Sequence, residues 1–470
     1  MDALFEKLKA EARRHRDELS DWPVRQEISP DEIKAHLKSR YAFDRPIDPE
    51  KLFQDVARML RDWNIHTAHP RYFGLYNPPA LPISAVADAL VALFNPQVGA
   101  WGHAPAANEM ERHVLDSFAK LIGYGDGPSS NHFTSGGQEA NNTALAAALA
   151  HTFPQVIETG LRELDGQPVF YVSNQAHHSF LKAAQMMGLG SNALRTVRSD
   201  DQYRMEVSPL RQAIAKDRAN GHLPFMVVGT AGATGTGAID PLDEIATIAR
   251  EADLWFHVDA AWGGGALLSE KLRPLLVGIE HADSVTWDAH KWLCVSMGAG
   301  MFFCRRPEAV ERAFKTETGY VPPPRFGIQD SYTVTAQWSR RFIGLKVFMA
   351  MAERGLTGYA AQIEHQTEMG EQLRKKLTAN GWEVLPGSPL PVICTTHRRI
   401  RDGAINADAV AERVQTGGRA WLSRLQLLDG SNVLRACITS YETQPADLDV
   451  LVEELNAALD AEILSPPPAG

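Results

Sequence analysis

The sequence predicts an α/β fold in which a mostly parallel sheet is covered by helices on both faces. From about residue 73 to residue 345, short β-branched or aromatic runs alternate with helical patterns. The predicted strands are 169–172, 225–228, 255–258, 284–287 and 301–304. Strands that alternate with helices form crossover units, which make the strands parallel and place ligands beyond their carboxyl ends.

Two helices within this region have clear signals. Residues 108–122 carry an apolar side chain at every fourth position, which gives one stripe of an amphipathic helix: Met110, Val114, Phe118 and Ile122. A second helix, over 241–252, is predicted to begin with Asp240 as its N-cap and Pro241 as its first residue.

The chain divides into three predicted parts. Residues 1–72 are typical of charged helices with sparse apolar stripes, and we expect this segment to pack on a second subunit. Residues 73–345 form the large domain with the sheet. Residues 346–470 form the third part, a small C-terminal domain. A long helix over about 338–380 leads into it, and residues 381–460 are typical of a small α/β domain.

The composition excludes several function classes. The 470 residues are 44% hydrophobic and 22% charged, as in ordinary globular proteins, and carry a net charge of −10. A basic face is what nucleic acid attracts, so the acidic balance argues against such a partner. No apolar run approaches the length that spans a bilayer, so we expect no membrane segment.

The four cysteines form no C-x-x-C pair and no metal-ligand spacing, so the sequence predicts no metal site. The first twenty residues are too acidic for a transit peptide and lack the apolar stretch of a signal peptide. Free thiols without a secretion signal indicate a reducing compartment, and the expected location is the cytoplasm.

Three segments at or near predicted strand ends carry unusual polar residues. The first is Thr134-Ser-Gly-Gly-Gln-Glu-Ala140, which precedes an alanine-rich helix. Backbone N–H groups at a helix N-terminus that opens with glycines can bind a phosphate, although Ser-Gly-Gly is also a common turn.

The second and third segments hold a carboxylate and a lysine. Asp259 ends an apolar strand, where a carboxylate is costly unless a cation or a set of donors binds it; capping of the Gly263–Gly265 loop is the alternative role. Lys291 lies between His290 and Trp292 just beyond another strand. Burial there would favour its neutral, nucleophilic form, which suits Schiff-base chemistry; a lysine on the surface is the alternative.

With all three segments in this order, the sequence resembles the group II pyridoxal-5′-phosphate (PLP) dependent decarboxylases, the family of aromatic-amino-acid, glutamate, histidine and diaminobutyrate decarboxylases. The family signature is matched without exception at Ser284-Val285, Lys291-Trp292-Leu293, Met297, Ala299, Phe302 and Arg305. The resemblance implies the fold-type I (aspartate aminotransferase-like) architecture. It also implies a homodimer with shared active sites and decarboxylation of an L-amino acid to its amine and CO2.

The resemblance also implies a role for each candidate residue. Lys291 would carry the cofactor, Asp259 would face its pyridine nitrogen, and His177 would stack on its ring. The expected contacts on the phosphate side are Ser135, Gly136, Gly137, Gln138, Asp288 and His290, while the residues expected to flank the ring are Thr234 and Ala261.

The family uses a tyrosine on a flexible loop as a proton donor. Tyr332 is the first candidate here and Tyr320, beside three prolines, is the second. Gly99 stands where members that act on aromatic substrates tend to carry an aromatic side chain. Aromatic L-amino acids rank slightly ahead of acidic ones, for which Arg71, Arg341 and Arg435 are candidate carboxylate partners.

Other readings remain open at this level. Another fold-type I reaction (aldehyde synthesis, carbon–carbon lysis or transamination) would use the same lysine and aspartate. A non-catalytic scaffold is the remote alternative.

Overall fold

The computed structural model describes residues 2–316 and 328–464, and these residues form two compact units. The first unit consists of residues 2–79, 368–385 and 392–464. The second consists of residues 80–316, 328–367 and 386–391. All the residues expected to hold the cofactor belong to the second unit.

The described helices are α1 (Asp2–Glu18), α2 (Pro30–Arg40), α3 (Pro49–Asp62), α4 (Pro82–Phe94), α5 (Pro105–Ile122), α6 (Gly137–Thr152), α7 (Val156–Thr159), α8 (Ser179–Met186), α9 (Val207–Ala219), α10 (Leu242–Glu251), α11 (Pro307–Phe314), α12 (Gly344–Ala379), α13 (Arg398–Arg401), α14 (Ala407–Gly417) and α15 (Pro445–Leu464). The described strands are β1 (Tyr72–Phe73), β2 (Ser130–Thr134), β3 (Pro168–Ser173), β4 (Leu194–Val197), β5 (Leu223–Thr230), β6 (Trp255–Asp259), β7 (Ser284–Asp288), β8 (Gly300–Cys304), β9 (Glu383–Val384), β10 (Val392–Thr396), β11 (Trp421–Gln426) and β12 (Asn432–Cys437). Within these residues every helix is too short or too polar to cross a bilayer.

The second unit is built on a seven-stranded sheet with the order β2-β8-β7-β6-β5-β3-β4. Strands β7, β6, β5, β3 and β4 pair in parallel, whereas β8 is antiparallel to both β7 and β2. Strand β2 therefore runs in the same direction as the five parallel strands. The predicted α/β class with a mostly parallel sheet is confirmed.

All five predicted strands are present, as parts of β3, β5, β6, β7 and β8. Two further strands of this seven-stranded sheet were missed. Strand β2 (Ser130–Thr134) alternates polar and apolar residues too weakly to stand out, and β4 (Leu194–Val197) is a short, half-exposed edge strand. Both segments form strands because they pair with neighbouring strands that are distant in sequence. Neither has a strong apolar run of its own.

The predicted N-cap of α10 is wrong. The helix begins at Leu242 after Pro241, and the Asp240 carboxylate turns away from it to accept the backbone N–H groups of Met205 (2.7 Å) and Thr230 (2.8 Å). Burial raises the pKa of Asp240 to about 6 in spite of these two donors. The carboxylate thus ties two loops together, which local sequence does not reveal.

The other two predicted helices are present with shifted boundaries. Helix α5 extends the predicted 108–122 stripe back to Pro105. Helix α12 begins at Gly344, six residues later than predicted, where the buried Glu111 carboxylate accepts the Gly344 N–H at 3.0 Å. The same carboxylate forms an ion pair with buried Arg340 at 3.2 Å, so the segment before the helix is fixed by packing.

Small side chains let α6 lie close to the sheet. Ala140, Asn141, Ala144 and Ala148 are buried and recur at helical spacing, in line with the half-buried Gly137 at the start of the helix. Phe170, Val228 and Phe302 from three strands join the alanines in one apolar core. This close packing brings the first turn of α6 to the carboxyl edge of the strands.

The first unit has a sheet of its own, in the order β1-β11-β12-β10-β9. Strand β1 is parallel to β11, and the remaining pairs are antiparallel. Its core packs α14 and α15 against the sheet through fully buried side chains such as Val410, Leu434 and Leu451. The two residues of β1 therefore add an edge strand to a sheet that is otherwise formed by the last ninety residues of the chain.

Candidate active site

The carboxyl ends of β2, β3, β5, β6 and β7 meet at one edge of the seven-stranded sheet. These strands end at Thr134, Ser173, Thr230, Asp259 and Asp288. Each is followed directly by a segment that contains predicted site residues. Ligands of open α/β sheets bind at this edge, so the fold collects segments that lie more than 150 residues apart in sequence.

Lys291 follows β7 by three residues, and its ammonium group faces a buried carboxylate. The Nζ atom lies 3.0 Å from Asp288 Oδ2, and the two side chains are 21% and 2% exposed. Next to the lysine, Trp292 is fully buried and stacks on Trp262 with 4.8 Å between ring centroids. The packed tryptophan fixes the backbone from which the lysine projects.

His290 is held in a defined tautomer beside the same carboxylate. Its Nδ1 accepts the Ala299 N–H at 3.2 Å, and its Nε2 lies 3.9 Å from Asp288 Oδ2. Burial lowers the pKa of His290, so the neutral ring carries its proton on Nε2. Asp288 is fixed in turn because its backbone N–H donates to Ala261 O at 2.9 Å.

Asp259 is buried at the end of β6 and is bound by neutral donors. Its Oδ2 accepts the Asn141 amide N–H at 3.0 Å, and its Oδ1 accepts the Ala261 backbone N–H at 3.1 Å. The residue is 6% exposed. Both groups that hydrogen-bond Asp259 are neutral, and the ion pair of Lys291 is with Asp288.

His177 lies in the loop after β3, with its ring fixed by the backbone that follows. The Ser179 N–H donates to His177 Nδ1 at 3.2 Å, which leaves the proton of the neutral ring on Nε2. Partial burial lowers the pKa of His177, while the nearby Asp259 carboxylate raises it and Lys291 lowers it further. The histidine is therefore in electrostatic range of both central residues.

Two glycines form the floor of the site at the start of α6. A Cβ atom added to Gly137 would lie 2.9 Å from Asp288 Oδ2 and 3.4 Å from Ala261 Cβ. One added to Gly136 would lie 3.5 Å from His290 Cε1. The structure therefore brings the glycine turn, Asp288, His290 and Ala261 together, although they come from three strands.

The polar side chains around these glycines bind other protein groups. The Ser135 hydroxyl donates to Glu139 Oε2 at 2.7 Å, and Gln337 donates to both oxygens of the same carboxylate. The Gln138 amide donates to Ser179 O at 3.1 Å. Ser135 and Gln138 thus border the glycine turn while their side chains hold it in shape.

Thr234 lies in the loop after β5 and is exposed. The loop is anchored by close packing, because a Cβ atom on Gly232 would lie 3.2 Å from the backbone of Gly263. This contact places the loop next to the segment that follows Asp259.

Tyr332 is held outside the group formed by Lys291, Asp259 and His177. Its backbone N–H donates to Gly99 O at 2.9 Å, and its ring lies 4.7 Å from that of Trp338. No hydrogen bond or ring contact joins Tyr332 to the other three residues within the described chain. Tyr320, the second candidate, lies outside the described residues.

Sequence reasoning missed two residues of this site, Asn141 and Ser179. Asn141 bonds to Asp259, and Ser179 bonds to both Asn141 and His177. Asn141 follows Gly137 by four residues, so it lies on the same helix face, and that spacing was the available signal. No local pattern distinguishes Ser179 from an ordinary serine near a helix start.

The comparisons with known proteins agree with this geometry. The model of the pyridoxal-dependent decarboxylase conserved domain matches residues 30–394. The chain belongs to this family. It is a PLP-dependent enzyme of fold type I that decarboxylates an amino acid, as the resemblance implied.

Individual relatives cover almost the whole chain. An aromatic-L-amino-acid decarboxylase of Bacillus atrophaeus is 28% identical over 464 residues, with 96% of this chain and 94% of the relative covered. The acidic amino acid decarboxylase GADL1 of Bos taurus is 29% identical and covers 86% of this chain and 79% of its own length. The crystal structure of mouse CSAD superimposes with a TM-score of 0.89 at 26% identity, covering 97% of this chain and 98% of that chain.

The residues of this decarboxylase fit the cofactor. At the start of α6 the backbone N–H of Glu139 donates to Gly136 O. The N–H groups of Gly137 and Gln138 come before it, at the positive end of the helix, where a phosphate binds. The buried Asp288 Oδ1 accepts no hydrogen bond from the residues that the structure describes. The buried Asp259 carboxylate is bound by neutral donors, so a cation of the cofactor would be favoured there, and both Asp259 and Lys291 act electrostatically on His177.

We expect Gly137→Ala to weaken PLP binding by about five- to a hundredfold, because the added methyl group would press on Asp288 and overpacking costs about 1–3 kcal/mol. Titration of the apoprotein with PLP measures the dissociation constant. Gly127→Ala is the matched control, since its Cβ would meet its nearest neighbour, Tyr124 O, at an ordinary 3.7 Å. Equal affinities of the two variants would contradict a tight cradle at Gly137.

Proposed function

We propose that this enzyme removes the α-carboxylate of an L-amino acid as CO2, with PLP attached to Lys291 and its pyridine nitrogen facing Asp259. The observation that carries the assignment of roles is the buried Asp259 carboxylate, which accepts neutral N–H groups, while the ion pair of Lys291 is with Asp288. A buried, unpaired charge is costly, so the site favours a ligand that brings the cation.

A protonated pyridine nitrogen is such a cation. An opposite charge in contact shifts the pKa of a group by about 1–3 units toward its charged form, so Asp259 would hold the proton on the ring nitrogen at neutral pH. Bound PLP supplies an aldehyde that binds amines and a ring that accepts the electron pair left when CO2 departs. Lys291 would hold the cofactor between turnovers and displace the amine product.

His177 supports a second role. Its neutral ring carries a proton on Nε2, because Nδ1 accepts the Ser179 N–H. We propose that it packs on the ring face of the cofactor and returns a proton to Cα of the product. Tyr332 remains the alternative donor; its position beside Gly99 would then have to change when substrate binds. Neither histidine nor tyrosine has to be charged for this step.

The remaining residues would bind and orient. Gly136, Gly137, Ser135 and Gln138 at the start of α6, with Asp288 and His290 opposite, would hold the phosphate end. Ala261, which bonds to both Asp259 and Asp288, would flank the ring together with Thr234. Fixing both ends of the ring orients the bond to the carboxylate relative to its plane, and this orientation selects the bond that breaks.

We propose an aromatic L-amino acid as the substrate. One relative that covers 96% of this chain is named for that class. The arginines considered for an acidic side chain already bind protein groups: Arg341 pairs with Asp88 at 2.8 Å, Arg435 donates to Gly74 O, and Arg71 donates to Ser20 O. The ring pair of Tyr332 and Trp338 lies beside Gly99, where an aromatic wall is otherwise lacking.

The proposal predicts that, among the twenty L-amino acids and diaminobutyrate, the aromatic ones release CO2 fastest and give one primary amine per CO2. Product analysis by mass spectrometry measures both. Lys291→Ala should abolish turnover and the yellow colour, because the amine that carries PLP is lost.

Faster release from glutamate or aspartate would overturn the substrate class. An aldehyde with ammonia, or a keto acid, would overturn the reaction. If borohydride reduction of the wild-type holoenzyme left no phosphopyridoxyl label on Lys291, the assignment of that residue would be wrong.

We propose that the enzyme is a homodimer and that α1–α3 contribute to its interface. None of these three helices contains a buried residue. Along α3, Leu52, Val56 and Leu60 follow one another at four-residue spacing and are 38%, 37% and 61% exposed, with Phe5 and Leu8 of α1 also exposed. Single chains rarely expose such contiguous apolar surface, so a second copy is the expected partner.

The double variant Val56→Glu/Leu60→Glu should dissociate the dimer, because two charges would enter an apolar interface. Light scattering coupled to size exclusion measures the mass against concentration. Leu428→Glu, at a residue 62% exposed in the turn between β11 and β12, is the matched control and should stay dimeric. A variant that dimerises as tightly as the control would exclude α3 from the interface.

We also propose a cytoplasmic location. The four cysteines, Cys294, Cys304, Cys394 and Cys437, are all buried free thiols in the structure. Such thiols are typical of proteins kept in a reducing compartment.

A further inference from the structure

Asn141 stands at the centre of a buried hydrogen-bond network below the site. The residue is 1% exposed, and its amide makes four hydrogen bonds. The Nδ2 atom donates to Asp259 Oδ2 at 3.0 Å and to Ser179 Oγ at 2.8 Å. The Oδ1 atom accepts from Thr286 Oγ1 at 2.7 Å and lies 3.2 Å from His257 Nε2. Both donors and both acceptor positions of the amide are used.

The direction of every bond follows from Asp259. An ionised carboxylate only accepts hydrogen bonds, so the NH2 group of Asn141 must face it and the carbonyl oxygen must face His257. His257 therefore carries its proton on Nε2, and its Nδ1 accepts from the Ser284 hydroxyl at 2.8 Å. Ser284 in turn accepts the indole N–H of Trp255 at 2.9 Å.

The network is neutral throughout. His257 is fully buried, and burial lowers its pKa to about 4, so the ring is uncharged at neutral pH. The other members are the Asn141 amide, the hydroxyl groups of Ser179, Thr286 and Ser284, and the Trp255 indole. Through Asn141 the network directs an N–H donor at the Asp259 carboxylate without supplying a positive charge that would compete with a ligand for it.

Asn141 also links the two groups that would contact opposite parts of the cofactor. Ser179 accepts the Asn141 amide through its hydroxyl, and its backbone N–H orients His177. One amide thus fixes the carboxylate expected at the ring nitrogen and, through one serine, the imidazole expected at the ring face.

We propose that Asn141 is a positioning residue that holds Asp259 for its contact with the pyridine nitrogen of PLP and keeps that carboxylate available to this cation alone. The inference rests on the proposed roles of Asp259 and Lys291. It predicts that the difference in binding free energy between ligands with and without the ring nitrogen depends on Asn141. A residue that only supports the fold would change the affinity of the site for all ligands by the same factor.

The test compares binding of PLP with binding of its analogue in which a carbon replaces the ring nitrogen, by titration of the full-length apoprotein. Wild-type protein should prefer PLP. Asn141→Leu, which keeps the branched shape and the number of side-chain heavy atoms but removes all four hydrogen bonds, should lower this preference by about tenfold or more, since a hydrogen bond to a charged group is worth about one to two powers of ten. We expect kcat with PLP to fall by a similar factor while KM changes little.

Asn141→Ala is the second variant, because it removes the same four hydrogen bonds without adding bulk or a second carboxylate beside Asp259. It should lose the preference as well. Asn142→Ala, at the half-buried next residue of α6, is the matched control and should retain it. If both Asn141 variants fold, as judged by melting of the apoprotein, and prefer PLP as strongly as this control, the inference is wrong.

Asp259→Asn separates the inference from the function on which it rests. A loss of preference in Asp259→Asn but not in the Asn141 variants would overturn the inference and leave the proposed function intact. An unchanged preference in Asp259→Asn would overturn the proposed contact with the ring nitrogen itself.

Discussion

The structure depends on one constraint, which is the burial of the Asp259 carboxylate among neutral donors. Burying a carboxylate without a counter-ion costs several kcal/mol, and the two N–H groups from Asn141 and Ala261 recover only part of this cost. In the apoprotein, binding of a cation at the end of β6 is therefore favourable. A cofactor with a basic ring nitrogen supplies that cation, so binding and activation of the ring are the same interaction.

Sheet order makes this arrangement possible. Strands β6 and β7 are parallel neighbours, so Asp259 and Asp288 end side by side, and the three residues after Asp288 lead to Lys291. The antiparallel β8 lies between β7 and β2, so β2 runs in the same direction as β7. The glycine turn that follows β2 therefore lies at the same edge of the sheet as Asp259 and Asp288. The alanine-rich face of α6 then lies close enough for Asn141 to reach Asp259. The proposed catalytic groups thereby lie at, or within a few residues of, the ends of sheet strands.

The parts of this account that the sequence predicted are those with a local signal. Five apolar strands, the stripe of α5, and the Lys291 segment each show their character within about a dozen residues. The capping of α10 by Asp240 was wrong because its carboxylate bonds to Met205 and Thr230, which the local pattern does not contain. Strand β2 and the role of Asn141 were missed for the same reason: each is decided by a partner more than 100 residues away. The contribution of Tyr332 stays a prediction, since its backbone bonds to Gly99 and no contact joins it to Lys291 in the described chain.

The central claim is that Asp259 keeps the ring nitrogen of the bound cofactor protonated. Solid-state NMR of the holoenzyme loaded with PLP that carries ¹⁵N at the pyridine position reports this protonation directly. We predict the chemical shift of a pyridinium at neutral pH in the wild-type enzyme and that of a neutral pyridine in Asp259→Asn. A neutral pyridine in the wild-type enzyme, or a pyridinium that persists in Asp259→Asn, would contradict the account.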